Sequence, residues 1–289
     1  MKANNLIPHI VLLSIAIACL LPFLLIISSS LMYEKDIILQ GYTFIPKKIT
    51  LLAYEVILKD PQQLINSYIV TIIVTIVGTI VGLWLTATIA YVLTRNDYKY
   101  KNKLTFYVFF TMLFNGGLIP SYILISRWLN MKDTIFALIV PYLVIAWYVL
   151  LMKGFFQSLP KGLVESAKID GASEFKIFVQ IVLPISKPAL ATVGLFLVLQ
   201  YWNDWWLSML FIDKESLFSL QFLLIRVMRN LEFLNTEMAR QYLNIDRLNI
   251  PTLSARMAMS VLAAGPMLFI FPFFQKYFVK GLTLGSIKG

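Results

Sequence analysis

The sequence predicts an all-α polytopic membrane protein with six transmembrane helices, and three observations carry that reading. The 289 residues are 59% hydrophobic and only 14% charged, with a mean hydropathy of +0.77, more apolar matter than a soluble domain of this size can bury. The apolar residues come in uncharged runs, at 3–33, 61–94, 104–126, 134–152, 188–203 and 257–275. Most reach the roughly 17–25 residues needed to cross about 30 Å of hydrocarbon as a helix, where each backbone amide must find its partner inside the segment. Basic residues, thirdly, concentrate in alternate loops, as they do where lysine and arginine resist translocation.

Each segment follows from this frame. Run 3–33 contains the single cysteine, Cys19, so no intramolecular disulfide is available. The run is long and lacks a small-residue cleavage site, which reads as a retained anchor, not a signal peptide. Residues 33–66, with Gly41, Pro46 and Pro61 and balanced charge, form an external loop, and 1–66 is set apart as an N-terminal span plus that loop. Residues 67–280 hold the remaining five spans, joined by short connections except for two inserts, 153–187 inside and 213–256 outside. The apolar run 216–225 has ten residues and is too short for a seventh span. Residues 281–289 are a C-terminal tail.

Six spans put both termini on one side of the membrane. Arg95, Lys99, Lys101 and Lys103 crowd the loop after the second span, while Arg127 and Lys132 are the cations of the loop after the third. The loop after the second span and both termini are therefore cytoplasmic. Cytoplasmic segments carry 13 of the 25 basic residues against 4 acids, and external ones 12 against 10. The net charge of +10 is thus mostly an inward-facing surface suited to anionic lipid and a cytoplasmic partner, and it does not call for nucleic acid.

The inner insert reads as two short helices joined at a glycine. Pro160 suits a first helical turn and Gly171 the positive backbone angle that ends a helix. Beyond it Phe175, Phe178, Val179 and Val182 recur at i, i+3, i+4 and i+7, an apolar stripe for packing beneath the spans. Glu165-Ser166-Ala167, Asp170-Gly171-Ala172 and the closing Ile181-x-Leu183-Pro184 resemble the cytoplasmic signature of type I importer permeases of the ATP-binding cassette (ABC) class. The resemblance implies that the first helix is a coupling helix seated on a separate ATPase. Glu165 would be the exposed contact, Ala167 the small residue of close approach and Gly171 the hinge; Ser166 stands where the family has its first alanine.

Enzyme chemistry has no foothold in the sequence. A G-x-x-x-x-G-K-[ST] phosphate loop is missing, His9 is the only histidine, and Asp204 is the only acid within a span. ATP hydrolysis, with ATP and its Mg2+, thus falls to partner subunits, and no cofactor or metal is expected on this chain.

Two stretches are candidates for a solute path. In the fifth span Gln200, Asn203, Asp204 and Ser208 fall at i, i+3, i+4 and i+8, one broad helical face. Tyr201 and Trp205 flank it on one side, Trp202 and Trp206 on the other. Amides and a carboxylate bind hydroxyls while flat rings stack on C–H faces, which suits a sugar. An interfacial belt of aromatic residues explains the same residues. Mid-way along the third span, Asn115-Gly116-Gly117-Leu118-Ile119-Pro120-Ser121 weakens the helix, either as a packing kink or as backbone lining a cavity. Both stretches resemble the corresponding segments of carbohydrate permeases of the maltose type.

That resemblance covers 67–289, most firmly 158–190. It implies half of a heterodimeric pore in a bacterial cytoplasmic membrane, a second homologous permease, and two ATPase subunits. It also implies an external solute-binding protein, lipoprotein or periplasmic, that delivers an oligosaccharide. The 213–256 insert, with Arg226, Arg229, Arg240 and Arg247, is either its contact surface or a solvated loop. Two alternatives stay open: an ABC importer of a non-sugar solute, and a proton-coupled secondary transporter with Asp204 as relay.

Overall fold

The computed structural model describes residues 6–234, 236 and 251–285. In chain order come α1 (Leu6–Ser30), α2 (Glu34–Gln40), α3 (Leu52–Ile57), α4 (Pro61–Thr94), α5 (Lys101–Leu113) and α6 (Leu118–Ile123), which a π-helical turn prolongs to Trp128. Next are α7 (Phe136–Ile139), α8 (Ala146–Gln157), α9 (Lys161–Ile169) and α10 (Glu174–Ile177), the last continued by a π-helical Phe178–Val182 into α11 (Leu183–Ile185). Then follow α12 (Lys187–Trp202), α13 (Trp206–Phe211), α14 (Leu220–Leu234) and α15 (Thr252–Gly285). Among the described residues three helices are long and apolar enough to cross a membrane, and three bent helix pairs bring the count to six.

Several elements differ from the sequence expectation. The third run is no single kinked helix: α5 and α6 meet at 110°. Gly117 at φ +89 and ψ 178 occupies a region open essentially to glycine alone, and Asn115 Oδ1 accepts the Gly117 amide at 2.8 Å. The fourth run is bent by 47° between Tyr142 and Ala146, after a 3-10 turn containing Pro141. Within the 213–256 insert the short apolar run is the start of the amphipathic α14. The last helix begins at Thr252 and runs on to Gly285, so its helical conformation continues through 281–285.

Contacts divide the described chain into two compact units. One comprises the residues up to Leu64 with Leu223–Leu268, the other Ile65–Phe222 with the residues from Phe269 onward. In the first, α1 presents its apolar side chains outward. Ser30 shares a hydrogen bond with Tyr54 at 2.9 Å, and the buried Glu34 accepts the amides of Leu253 and Ser254 at 2.9 and 3.1 Å. Those amides are among the unpaired donors of the first turn of α15. The Pro251 ring carries no acceptor to cap them, so the Glu34 carboxylate from α2 does.

In the second unit α4 is the spine. Val70, Val74, Ala87, Ala90 and Leu93 bury one side of it in a core shared with α7, α8, the π-helical turn and α12. The helices approach closely at Gly78-x-x-x-Gly82, the small-residue spacing of membrane helix interfaces. A Cβ at Gly78 would run into the Tyr201 ring, and one at Gly82 would lie 3.2 Å from the Leu143 carbonyl.

Candidate functional sites: the polar insert and the span-five cleft

The insert begins with Pro160 as N-cap, one position earlier than a first-turn placement. Helix α9 closes as a Schellman motif: the Gly171 amide donates to Lys168 O at 3.0 Å and the Ala172 amide to Ala167 O at 2.9 Å, with Gly171 at φ +75. The carbonyls left over at the helix end are thereby satisfied. Open space surrounds Gly171, so its φ, not crowding, demands glycine. Ser173 then caps α10, accepting the Lys176 amide at 3.3 Å. Of the six residues expected to couple, Glu165, Ser166, Asp170 and Gly171 are exposed, Ala167 is 8% exposed and Ala172 half-buried. The apolar stripe packs as expected except at Phe175. Phe175 is 68% exposed and Ile177 is buried in its place, while Phe178 and Val182 are buried and Val179 is half-buried against the core, on a π-helical turn over Phe178–Val182.

A charged cluster, which the motif does not announce, surrounds this insert. Glu174 accepts from Tyr91 Oη at 2.7 Å, Arg95 at 2.9 Å and Lys168 at 2.7 Å. Lys168 also reaches Asp97 at 2.5 Å, and Arg95 reaches it at 3.5 Å. The Lys168 hydrogen bond holds the Asp97 carboxyl below its ordinary range. For Glu174 burial pushes upward, but Lys168, Tyr91 and Arg95 together hold it low. Asp97 and then Glu174 hold Lys168 above the usual lysine value. The signal for these partners was the Tyr91-x-x-x-Arg95 spacing, which places Arg95 one turn beyond Tyr91, just past the end of α4.

The fifth span does not present one continuous helical face. Helix α12 ends at Trp202 and α13 starts at Trp206, so Asn203, Asp204 and Trp205 form a break. Asp204 Oδ1 accepts from Tyr142 Oη at 2.8 Å and Oδ2 from the Leu207 amide at 3.1 Å, which secures the start of α13. Gln200, Asn203, Asp204 and Trp205 do come together, lining an open cleft of about 380 Å3 with Tyr148, Phe196, Leu199 and Trp206. Trp205 and Trp206 meet edge to face at 5.6 Å, and Tyr148 stacks on Phe196 at 6.0 Å.

Three expected members lie elsewhere. Tyr201 is 2% exposed and donates to Ile139 O at 2.8 Å. Trp202 is buried, and Ser208 Oγ accepts the Ser219 amide at 3.0 Å. Exposed Asn115 is not among the residues of the cleft. Sequence spacing pointed to neither Tyr142 nor Tyr148, since both arrive from the fourth span. Of the arginines of the 213–256 insert, Arg226 and Arg229 lie on α14, whereas Arg240 and Arg247 fall outside the described residues.

A membrane-type helical chain with a polar two-helix insert and a cleft of amides and aromatic rings defines a transport permease. The chain belongs to the family described as binding-protein-dependent transport system inner membrane component, which matches residues 93–284. It is 38% identical over 270 residues to Protein LplC of Bacillus subtilis (strain 168), covering 93% of this chain and 90% of that one. It is 36% identical over 278 residues to the polygalacturonan/rhamnogalacturonan transport system permease protein YtcP of the same organism, covering 96% of each. Among solved structures it matches a bacterial ABC transporter involved in the import of the acidic polysaccharide alginate. There the TM-score is 0.77 at 28% identity, covering 96% of this chain and 97% of the other.

Proposed function

We propose that this chain is the permease subunit of an ATP-driven importer of oligosaccharides. It forms half of a heterodimeric pore with a second, homologous permease, and two ATPase subunits and an external solute-binding protein complete the machine. The observation that carries the reading is the insert: a short helix with Glu165, Ser166 and Asp170 exposed along it, ended by the Gly171 turn, within a chain of this transport family. A nine-residue helix with a polar outer face suits a groove on a cytoplasmic ATPase. Ala167 and Ala172 let it sit close to the spans above.

The cleft at the α12–α13 break supports the sugar. Gln200 and Asn203 offer amide donors and acceptors, Asp204 a carboxylate, and Trp205, Trp206, Tyr148 and Phe196 offer flat faces, the chemistry that binds hydroxyls and stacks on pyranose C–H surfaces. Relatives transport polygalacturonan/rhamnogalacturonan, arabinooligosaccharides, or trehalose and maltose, by their names, and saccharides are what these have in common.

The test is to isolate the chain from its native membrane, identify the chains that copurify, and screen the associated binding protein against oligosaccharides for thermal stabilisation. An ATPase and a second permease are expected in the complex, with ATP-dependent uptake of the stabilising sugar. Uptake without ATP, or a complex containing no ATPase, refutes the reading.

A further inference from the structure

We infer that Tyr91, Arg95, Asp97, Lys168 and Glu174 form a strut that makes the insert and α4 move as one body, so that displacement of the insert enters the spans through α4. The inference rests on the docking role just proposed and assigns positioning residues to it.

Helix α9 is lightly anchored by apolar contact. Ala167 is its buried residue and Val164 is half-buried, whereas Leu163 and Ile169 are exposed. Between α9 and the end of α4 lies an open cleft of about 480 Å3 lined in part by Thr94, Arg95, Asp97, Val164, Glu165 and Lys168. What crosses it is ionic. Lys168 stands in the last turn of α9 and Glu174 at the first position of α10, on either side of the Gly171 turn, and both are held to residues at or just beyond the end of α4. The turn therefore cannot flex without breaking these contacts.

A solitary exposed ion pair contributes almost nothing. Here the Arg95 side chain is 17% exposed and covers the Tyr91 ring at 5.5 Å, and Glu174 accepts from three donors, an arrangement that gains over isolated pairs. One turn deeper, Phe178 wedges against Tyr91 at 5.0 Å and Trp84 at 5.7 Å.

Stiffness favours α4 as the route. It is one 34-residue helix without internal proline, about 50 Å long, and at Gly78 its backbone bears on Tyr201 beneath the α12–α13 break. The covalent route from the insert into α12 instead turns through 82° at Ser186, and α12 stops at Trp202.

The experiment uses the complete complex reconstituted in vesicles, with ATPase content, ATP hydrolysis and uptake measured together. Arg95→Gln and Glu174→Gln should retain the ATPase subunits and their hydrolysis while uptake per ATP falls about tenfold, an ordinary coupling magnitude. Arg95→Lys, which keeps the charge, should stay within about twofold by the same scale. In a Cys19→Ser background, Arg95→Cys and Glu174→Cys joined by a short bifunctional maleimide should restore uptake. Unchanged uptake per ATP in both glutamine variants overturns the strut, as does a cross-link that arrests transport. Loss of the ATPase from either variant also overturns it, since the cluster would then be docking surface. Absence of ATPase from the unaltered complex is a different outcome: it refutes the docking role itself and the strut with it.

Discussion

Gly78→Ala places one methyl group where the Tyr201 ring lies, and the consequence can be worked from the surroundings. Tyr201 cannot swing aside cheaply, because it is 2% exposed, donates to Ile139 O at 2.8 Å and meets the Tyr142 ring edge-on at 5.9 Å. Overpacking a fixed site of this kind costs about 1–3 kcal/mol, and breaking the Tyr201 hydrogen bond adds about 1 kcal/mol. The intrinsic preference of alanine over glycine in a helix returns at most about 1 kcal/mol. A net loss of about 2 kcal/mol lowers Tm by roughly 4 °C in a chain of this size. Scanning fluorimetry of the purified complex reads that shift directly. In Gly78→Ala/Tyr201→Ala the added methyl has room, so its cost should vanish on top of the Tyr201→Ala loss, a coupling between the two sites. An unchanged Tm for Gly78→Ala, or additive losses in the double variant, would refute close packing of α4 on α12.

Gly171→Val forces a β-branched residue to φ +75, a strain of about 1–2 kcal/mol or more; the chain should reach the membrane at wild-type level while ATP-dependent uptake drops severalfold, and normal uptake would sink the hinge assignment. Glu34→Ala leaves the Leu253 and Ser254 amides uncapped and should cost about 1–3 kcal/mol, more than Glu34→Gln, which still accepts a hydrogen bond; equal Tm shifts would contradict the cap. Trp205→Ala removes a ring from the cleft and should weaken sugar transport without changing the basal ATPase rate, measured as KM against maximal uptake. Asp97 and Glu174 have lowered pKa values and Lys168 a raised one. Depressed carboxylates stabilise above their ordinary pKa and fail as pH falls through the lowered one, and a raised lysine fails only as pH rises through its own. The protection of the 168–174 amides against hydrogen exchange, taken relative to the intrinsic rate at each pH, should therefore be flat from about pH 5 to 10 and fall below about pH 4.

Much of this architecture was legible along the chain because it depends on local quantities. The run 61–94 coincides with α4, since hydropathy and the absence of breakers are additive along a helix. Gly171 was recognisable as a helix end because a Schellman turn is closed by residues within six positions of one another. The regular helical face from Gln200 to Ser208 was not real. Periodicity assumes a continuing helix, and whether α12 stops at Trp202 depends on Asp204 finding Tyr142 from another span. Phe175 failed for a related reason: it stands in the first turn of α10, where Ile177 and not Phe175 meets the core.

Class, spans and the two-helix form of the polar insert thus follow from composition, charge and short-range order, which any stretch of chain carries with it. The cleft, the cap on α15 and the ionic cluster follow from meetings between residues 62, 219 and 79 positions apart. A polar side chain's partner at such distances is selected by packing of whole helices, and packing is a property no local pattern encodes.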